Sequence, residues 1–177
     1  IDADPSTSAI DVIGLAPPPA STITPAPQRL TMDPKNPRAF AADENSGVLY
    51  EIDLDPLSPT YNQATSVAVG PAPFGLRGLA VNADGTRLFV AAPHRRTFGS
   101  GAGFANSDTE HILVLDVSID PNNPGKLPQL VTALDAGPTP GVDYEPFAVT
   151  AGKDPNVVTF TNRGADGLGF GYIANAK

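Results

Sequence analysis

The residues able to do chemistry in this 177-residue chain are few and sit in short stretches. "PHRR" at 93–96 is the only basic cluster in a chain with 11 Lys and Arg against 19 Asp and Glu. His94, Arg95 and Arg96 would hold a carboxylate or phosphate through charge-assisted hydrogen bonds, or stand as a solvated loop. His94 and His111 are the only two histidines, and so the only side chains whose ordinary pKa suits a base near neutrality. "DENSG" at 43–47 brings Asp43, Glu44 and Asn45 together. Their oxygens would suit calcium, the one cofactor considered for a chain otherwise expected to carry none. An Asx turn accounts for the same residues. "EIDLD" at 51–55 alternates, placing Glu51, Asp53 and Asp55 on one strand face, expected to look into solvent.

Several chemistries are missing. No Gly-x-Ser-x-Gly elbow is present, and "GSGAG" at 99–103 lacks its strand-to-helix context. Cysteine is absent, which removes disulfides and thiolate metal sites. A formal net charge of −8 argues against a nucleic-acid partner, which needs clustered Lys and Arg. No apolar run approaches the ~18 residues of a membrane span.

The positioning elements are strands. Pro 20 and Gly 17 together make 37 of 177 residues, an excess that fits many turns, while 41% hydrophobic residues argue for a folded core. Apolar runs are short, bounded by Pro, Gly, Asn and Asp, and carry no helical period. Strands are expected near 30–33, 38–43, 48–54 and 65–69, and again near 78–82, 87–92, 111–117 and 129–135.

These runs repeat. "RLTMDPKNPRAFAAD", "GLAVNADGTRLFVAA" and "PFAVTAGKDPNVVTFTN" align as strand, turn and strand, with Leu30, Leu79 and Phe147 matched. Third strands follow as "GVLYEIDL", "HILVLDV" and "GFGYIANA", then fourth strands "ATSVAVG" and "LVTALDAG" in the first two units. Four antiparallel strands in a unit of ~40–50 residues describe a propeller blade. The units are 28–72, 73–140 with a long insertion at 93–110, and a partial blade at 141–177. Residues 1–27 read as the closing strands of a preceding blade. Leu30, Met32, Phe40, Leu79, Val81, Phe89, Ile112, Val114, Phe147 and Val149 form the expected core.

"GLRGLAVNADGTRLFVA", "ILVLD" and "VAVGPAP" resemble the repeat of the YVTN-type β-propeller family, which includes YncE-like surface proteins and lactonase-like propellers. The resemblance implies an all-β propeller arc of two complete and two partial blades. It implies a scaffold or binding module of a larger secreted, surface-exposed or periplasmic bacterial protein, with lactonase-like hydrolysis as the alternative. The open arc is expected to be completed by further blades, from a longer parent chain or from other copies. In this family the loops joining second to third strands share a face with the joints between blades. That face would gather Asp43, Glu44, Asn45, Phe74, Arg77, His94, Arg95, Arg96, Phe98, Asp143, Tyr144, Glu145, Asn162, Arg163 and Asp166. Such a mixed-charge, aromatic rim suits a protein partner or a small polar ligand. Within it, His94 as base with Arg77 and Glu145 is the candidate set for lactone opening.

Overall fold

The computed structural model describes residues 12–17, 22–69, 75–96, 109–137, 139, 142–155, 157–164 and 174–175, with backbone alone at 94–96, 109 and 174–175. Among these residues there is no helix, and hence none long and apolar enough to cross a membrane. Eleven strands form three antiparallel sheets, each a meander in chain order. The first sheet comprises β1 (Pro27–Met32), β2 (Arg38–Asp43), β3 (Leu49–Asp53) and β4 (Ala64–Val67). The second comprises β5 (Leu79–Val81), β6 (Arg87–Arg96), β7 (Thr109–Asp116) and β8 (Gln129–Asp135). The third comprises β9 (Pro146–Ala151), β10 (Val157–Asn162) and β11 (Ala174–Asn175).

One turn recurs in all three sheets. The N–H of Asp33 bonds the carbonyl of Arg38 at 2.9 Å, that of Asn82 the carbonyl of Arg87 at 2.9 Å, and that of Gly152 the carbonyl of Val157 at 2.7 Å. The register agrees, since Met32 faces Ala39, Val81 faces Leu88 and Ala151 faces Val158. The third unit therefore aligns two residues later than its sequence suggests: Val149, not Phe147, is the equivalent of Leu30 and Leu79. The first turn is held by the Asp33 side chain, which accepts from the N–H groups of Lys35 and Asn36. Asn82 does the same for Thr86 and Arg87 in the second. Asx-type bonds of this kind let a polar side chain replace a turn's missing backbone partners.

Alternation then decides which face each residue meets. In the second sheet Leu88, Val90, Ala92, Leu113 and Leu115 join a core with Phe40, Ala42, Leu49 and Val67 of the first sheet. Phe89, Ala91, Ile112 and Val114 point the other way and pack with Val158 and Phe160 of the third. Both faces of β6 at 88–92 and of β7 at 112–115 are thus covered, which is why these stretches run apolar without polar interruption. The far face of the first sheet, with Ala39, Ala41, Tyr50 and Ile52, is covered by Ile13 and Leu15. The hydroxyl of Tyr50 donates to the carbonyl of Ala16 at 2.8 Å. Residues 12–17 and 22–26 lie in no strand. The rest of the expected closing-strand segment, 1–11 and 18–21, lies outside the described residues.

Neighbouring sheets meet at β1 against β5 and at β5 and β6 against β9. Gly78, next to β5, lies at one such approach. Its N–H bonds the carbonyl of Phe147 at 2.8 Å, and a Cβ there would stand 2.4 Å from that oxygen. Only glycine fits such a crossing. Of the expected core, Phe40, Leu79, Phe89, Ile112 and Val114 are buried, while Val81, Phe147 and Val149 are half-buried. Leu30 and Met32 depart from expectation, at 59% and 55% exposed. They share a face with Ala41 and Ala39, a face against which, among the described residues, Ile13, Leu15, Leu54 and Ala64 pack.

Candidate functional site

Three arginines from separate parts of the chain converge on one aromatic ring. Arg29 comes from β1, Arg77 from the joint before β5, and Arg163 from the residue after β10. Their guanidinium carbons lie 5.6, 5.7 and 4.4 Å from the centre of the Phe147 ring. Each is inside the ~6 Å range over which an aromatic face attracts a cation. The close packing of first strands explains the convergence, because it brings β1, β5 and β9 side by side.

Acids complete the cluster unevenly. Glu44 accepts a bond from Arg77 Nε at 3.1 Å, and Glu145 lies 3.9 Å from Arg77 Nη1. No carboxylate among the described residues reaches Arg29 or Arg163 within ion-pair distance. Five donors per guanidinium therefore leave Arg29 and Arg163 with most of their hydrogen-bonding capacity unused. Glu145 takes a left-handed backbone, φ 45°, immediately before Pro146. For a non-glycine residue this costs roughly 1–3 kcal/mol. The conformation is held by the bond from Arg163 N–H to the Glu145 carbonyl at 3.0 Å. The backbone that carries the exposed Arg163 is thus tied to a strained joint.

The rim residues named from sequence fall into distinct places. Arg77, Glu145, Arg163 and Glu44 meet at this cluster. Tyr144 is buried elsewhere, its hydroxyl accepting the Thr139 N–H at 3.0 Å. Its N–H bonds Glu110 Oε2 at 3.3 Å. Asn162 donates to the carbonyl of Ala136 at 2.8 Å. For His94, Arg95 and Arg96 the backbone lies in the last residues of β6, and their side chains lie outside the described residues, as do Phe74, Phe98 and Asp166. The trio of His94, Arg77 and Glu145 is therefore represented by its last two members.

Asp43, Glu44 and Asn45 serve a turn. Asp43 is fully buried, and its carboxylate accepts from the N–H groups of Asn45, Ser46 and Ala26 at 2.7, 2.9 and 3.1 Å. Glu44 is turned to Arg77, and Asn45 Nδ2 donates to the carbonyl of Thr24. Among the described residues no three His, Asp or Glu side chains gather as a metal set.

Sequence reading missed three participants. Arg29 and Phe147 belong to the cluster, and only the contact between first strands unites them with Arg77. Glu110 is 2% exposed at the start of β7, where burial, joined by neighbouring Asp143, pushes its pKa up against the bond from Tyr144 N–H. An acid directly before the apolar run "HILVLDV" was its only signal. His111, fully buried, places Nε2 3.5 Å from Asp135 Oδ1 across the β7–β8 pair. Comparison with known proteins returns no family model that matches the chain and no curated protein that matches its sequence.

Proposed function

We propose that this chain is a non-catalytic binding module of the β-propeller type, built from YVTN-like blades and completed by further blades. Three features support the architecture. The same turn recurs in three sheets at equivalent registers. Their first strands lie next to one another, β1 by β5 and β5 by β9, with β6 also packed on β9, an arrangement compatible with blades around an axis. Leu79 and Val149 each face the preceding sheet, whereas the equivalent Leu30 is exposed on a face that a preceding blade would cover.

The observation that carries the function is the set of three guanidinium groups around Phe147, two of them unpaired with any acid among the described residues. In an acidic chain this concentrates positive charge where the joints gather. It suits a partner or small ligand bearing carboxylates, with Phe147 as an apolar floor. A secreted or surface-exposed setting follows from the family resemblance. The test is calorimetric titration of the chain with citrate and with a polyglutamate peptide. Arg29→Ala with Arg163→Ala should weaken binding at least about tenfold, the loss of ~1.4 kcal/mol. Unchanged binding in the double variant, or none in the parent chain, would refute the reading.

A further inference from the structure

At the other end of the sheets a second site is assembled. Here the interface between first and second sheets turns from apolar to polar, and a half-open cavity of about 480 Å³ lies between them. That volume falls within the ~300–1,000 Å³ of small-molecule sites. Its floor is Arg38, Glu51, Asp53 and Thr65 of the first sheet, and its far wall is the 119–127 loop of the second.

The walls are fixed before any ligand arrives. Arg38, 6% exposed, donates to Asp33 at 2.9 Å, to Glu51 at 2.8 Å, and to the carbonyl of Val117 across the interface. The two loops that flank the cavity each follow a third strand ending in an aspartate. Asp53 accepts from Asp55 N–H at 2.9 Å and Thr60 Oγ1 at 2.6 Å. Asp116 accepts from Ser118 N–H at 3.0 Å and Lys126 Nζ at 2.8 Å. A site with walls set in advance loses little freedom on binding.

What the walls leave unused defines the ligand. Glu51 Oε2, the Gln63 side-chain amide and the Thr65 hydroxyl make no hydrogen bond with any described residue, and Lys126 uses two of its three donors, on Asp116 and Ser118. Donors and acceptors therefore alternate around one space. Arg38 and Lys126 line the cavity against Glu51, Asp53 and Asp55, and both cations are already bonded to acids, Arg38 to Asp33 and Glu51 and Lys126 to Asp116, so no free cation is left to hold an anion. Hydroxyl groups, which donate and accept at once, match such a surface. Ile119 and Leu127, 50% and 42% exposed, add apolar wall for C–H faces.

We propose that this cavity binds a neutral, hydroxyl-rich small molecule, a mono- or disaccharide. The site is independent of the arginine cluster, which lies at the opposite end of the sheets. The whole chain is titrated, by calorimetry and by amide NMR shifts, with glucose, N-acetylglucosamine, maltose and cellobiose. Spermidine and inorganic phosphate serve as charged controls. At least one sugar should bind saturably and shift the amides of 51–55, 63–65 and 119–127. Gln63→Ala and Thr65→Val should each weaken it about fivefold, the worth of one neutral hydrogen bond, at unchanged melting temperature. Arg163→Ala should leave it unaltered. No saturable sugar binding would overturn the proposal. So would equal binding by the Gln63 and Thr65 variants, or a control occupying these amides in preference.

Discussion

Toward the first sheet, the second presents Leu88, Val90, Ala92, Leu113 and Leu115; toward the third, it presents Phe89, Ala91, Ile112 and Val114. The two interfaces share a backbone yet are fastened differently. The first ends in charge, where Arg38 joins Asp33 and Glu51 within its own sheet and reaches the Val117 carbonyl of the next. The second ends in a buried acid. Glu110 takes the Tyr144 N–H, while the Tyr144 ring lies so close to Gly137 that a Cβ there would stand 2.2 Å from it. Apolar burial is non-directional and holds sheets together wherever methyl groups meet. The polar fasteners have fixed geometry, so they set how far and at what angle the sheets stop. Beside the fork of guanidinium bonds the first interface opens into a lined cavity, and at the second the Tyr144 ring packs directly on a glycine.

The largest effects should come from removing the anchor of either interface. Phe89→Ala should cost about 3–5 kcal/mol in a denaturant melt, because a fully buried ring between second and third sheets would leave a cavity. Arg38→Ala should cost a similar ~3–5 kcal/mol, by leaving Asp33 and Glu51 in a poorly solvated site without their cation. If Arg38→Ala were neutral, the first interface would be held by apolar contact alone. Gly78→Ala should cost roughly 1–3 kcal/mol, as the new methyl forces β5 away from Phe147.

Acid should separate the interfaces. Burial disfavours the Asp116 carboxylate, but Lys126 and Ser118 more than compensate and bring its pKa down to about 2. Asp33 is likewise lowered, its bonds from Asn36, Lys35 and Arg38 outweighing burial. A depressed folded pKa contributes stability above the unfolded value, 3.8, and that stability is lost as pH falls toward the folded value. Glu110 has the opposite sign. Its raised pKa contributes stability below 4.5 that is lost as pH rises through the folded value. Glu110→Gln should therefore reduce the loss of stability on the alkaline side of pH 4.5, while Asp116→Asn should reduce the loss below 3.8. Melting curves across pH check both, and parallel profiles for the two variants would contradict the difference between the interfaces.

The smallest effect belongs to the face of the first sheet on which no other sheet lies among the described residues. Leu30→Ser and Met32→Ser should each change stability by about 0.5 kcal/mol or less, as exposed positions do. A cost of ~2 kcal/mol in the isolated chain would show that this face is covered after all.

These contrasts also mark how far the sequence could be read. Strands expected at 38–43 and 129–135 appear with the same bounds, and 87–92 and 111–117 differ only at their ends. Their turn residues and apolar runs are local signals. Leu30 and Met32 failed because alternation tells which residues share a face, not whether another layer lies on it. Phe147 was matched to Leu30 and Leu79 by its type, whereas the hydrogen-bonded turn places Val149 there. Of the arginine cluster, Arg77 and Glu145 were legible from the joints, and Glu44 and Arg163 from the loops between second and third strands. Arg29 joins them through the β1–β5–β9 approach, which depends on Gly78 and leaves no local mark. The expected solvent-facing row of Glu51 and Asp53 is instead the floor of a cavity. Nothing in "EIDLD" reveals that the 119–127 loop leans over it.

Central to the account is that the second sheet lies between two others, covered on both faces. Native-state hydrogen exchange of the whole chain tests this most directly. Amides of β6 at 88–92 and of β7 at 112–115 should exchange only through global unfolding, with the highest and a common protection, while β1 and β9 exchange faster through local opening. If amides at 88–92 and 112–115 exchange as fast as those of β1, the sheets do not stack around the second, and the account is wrong.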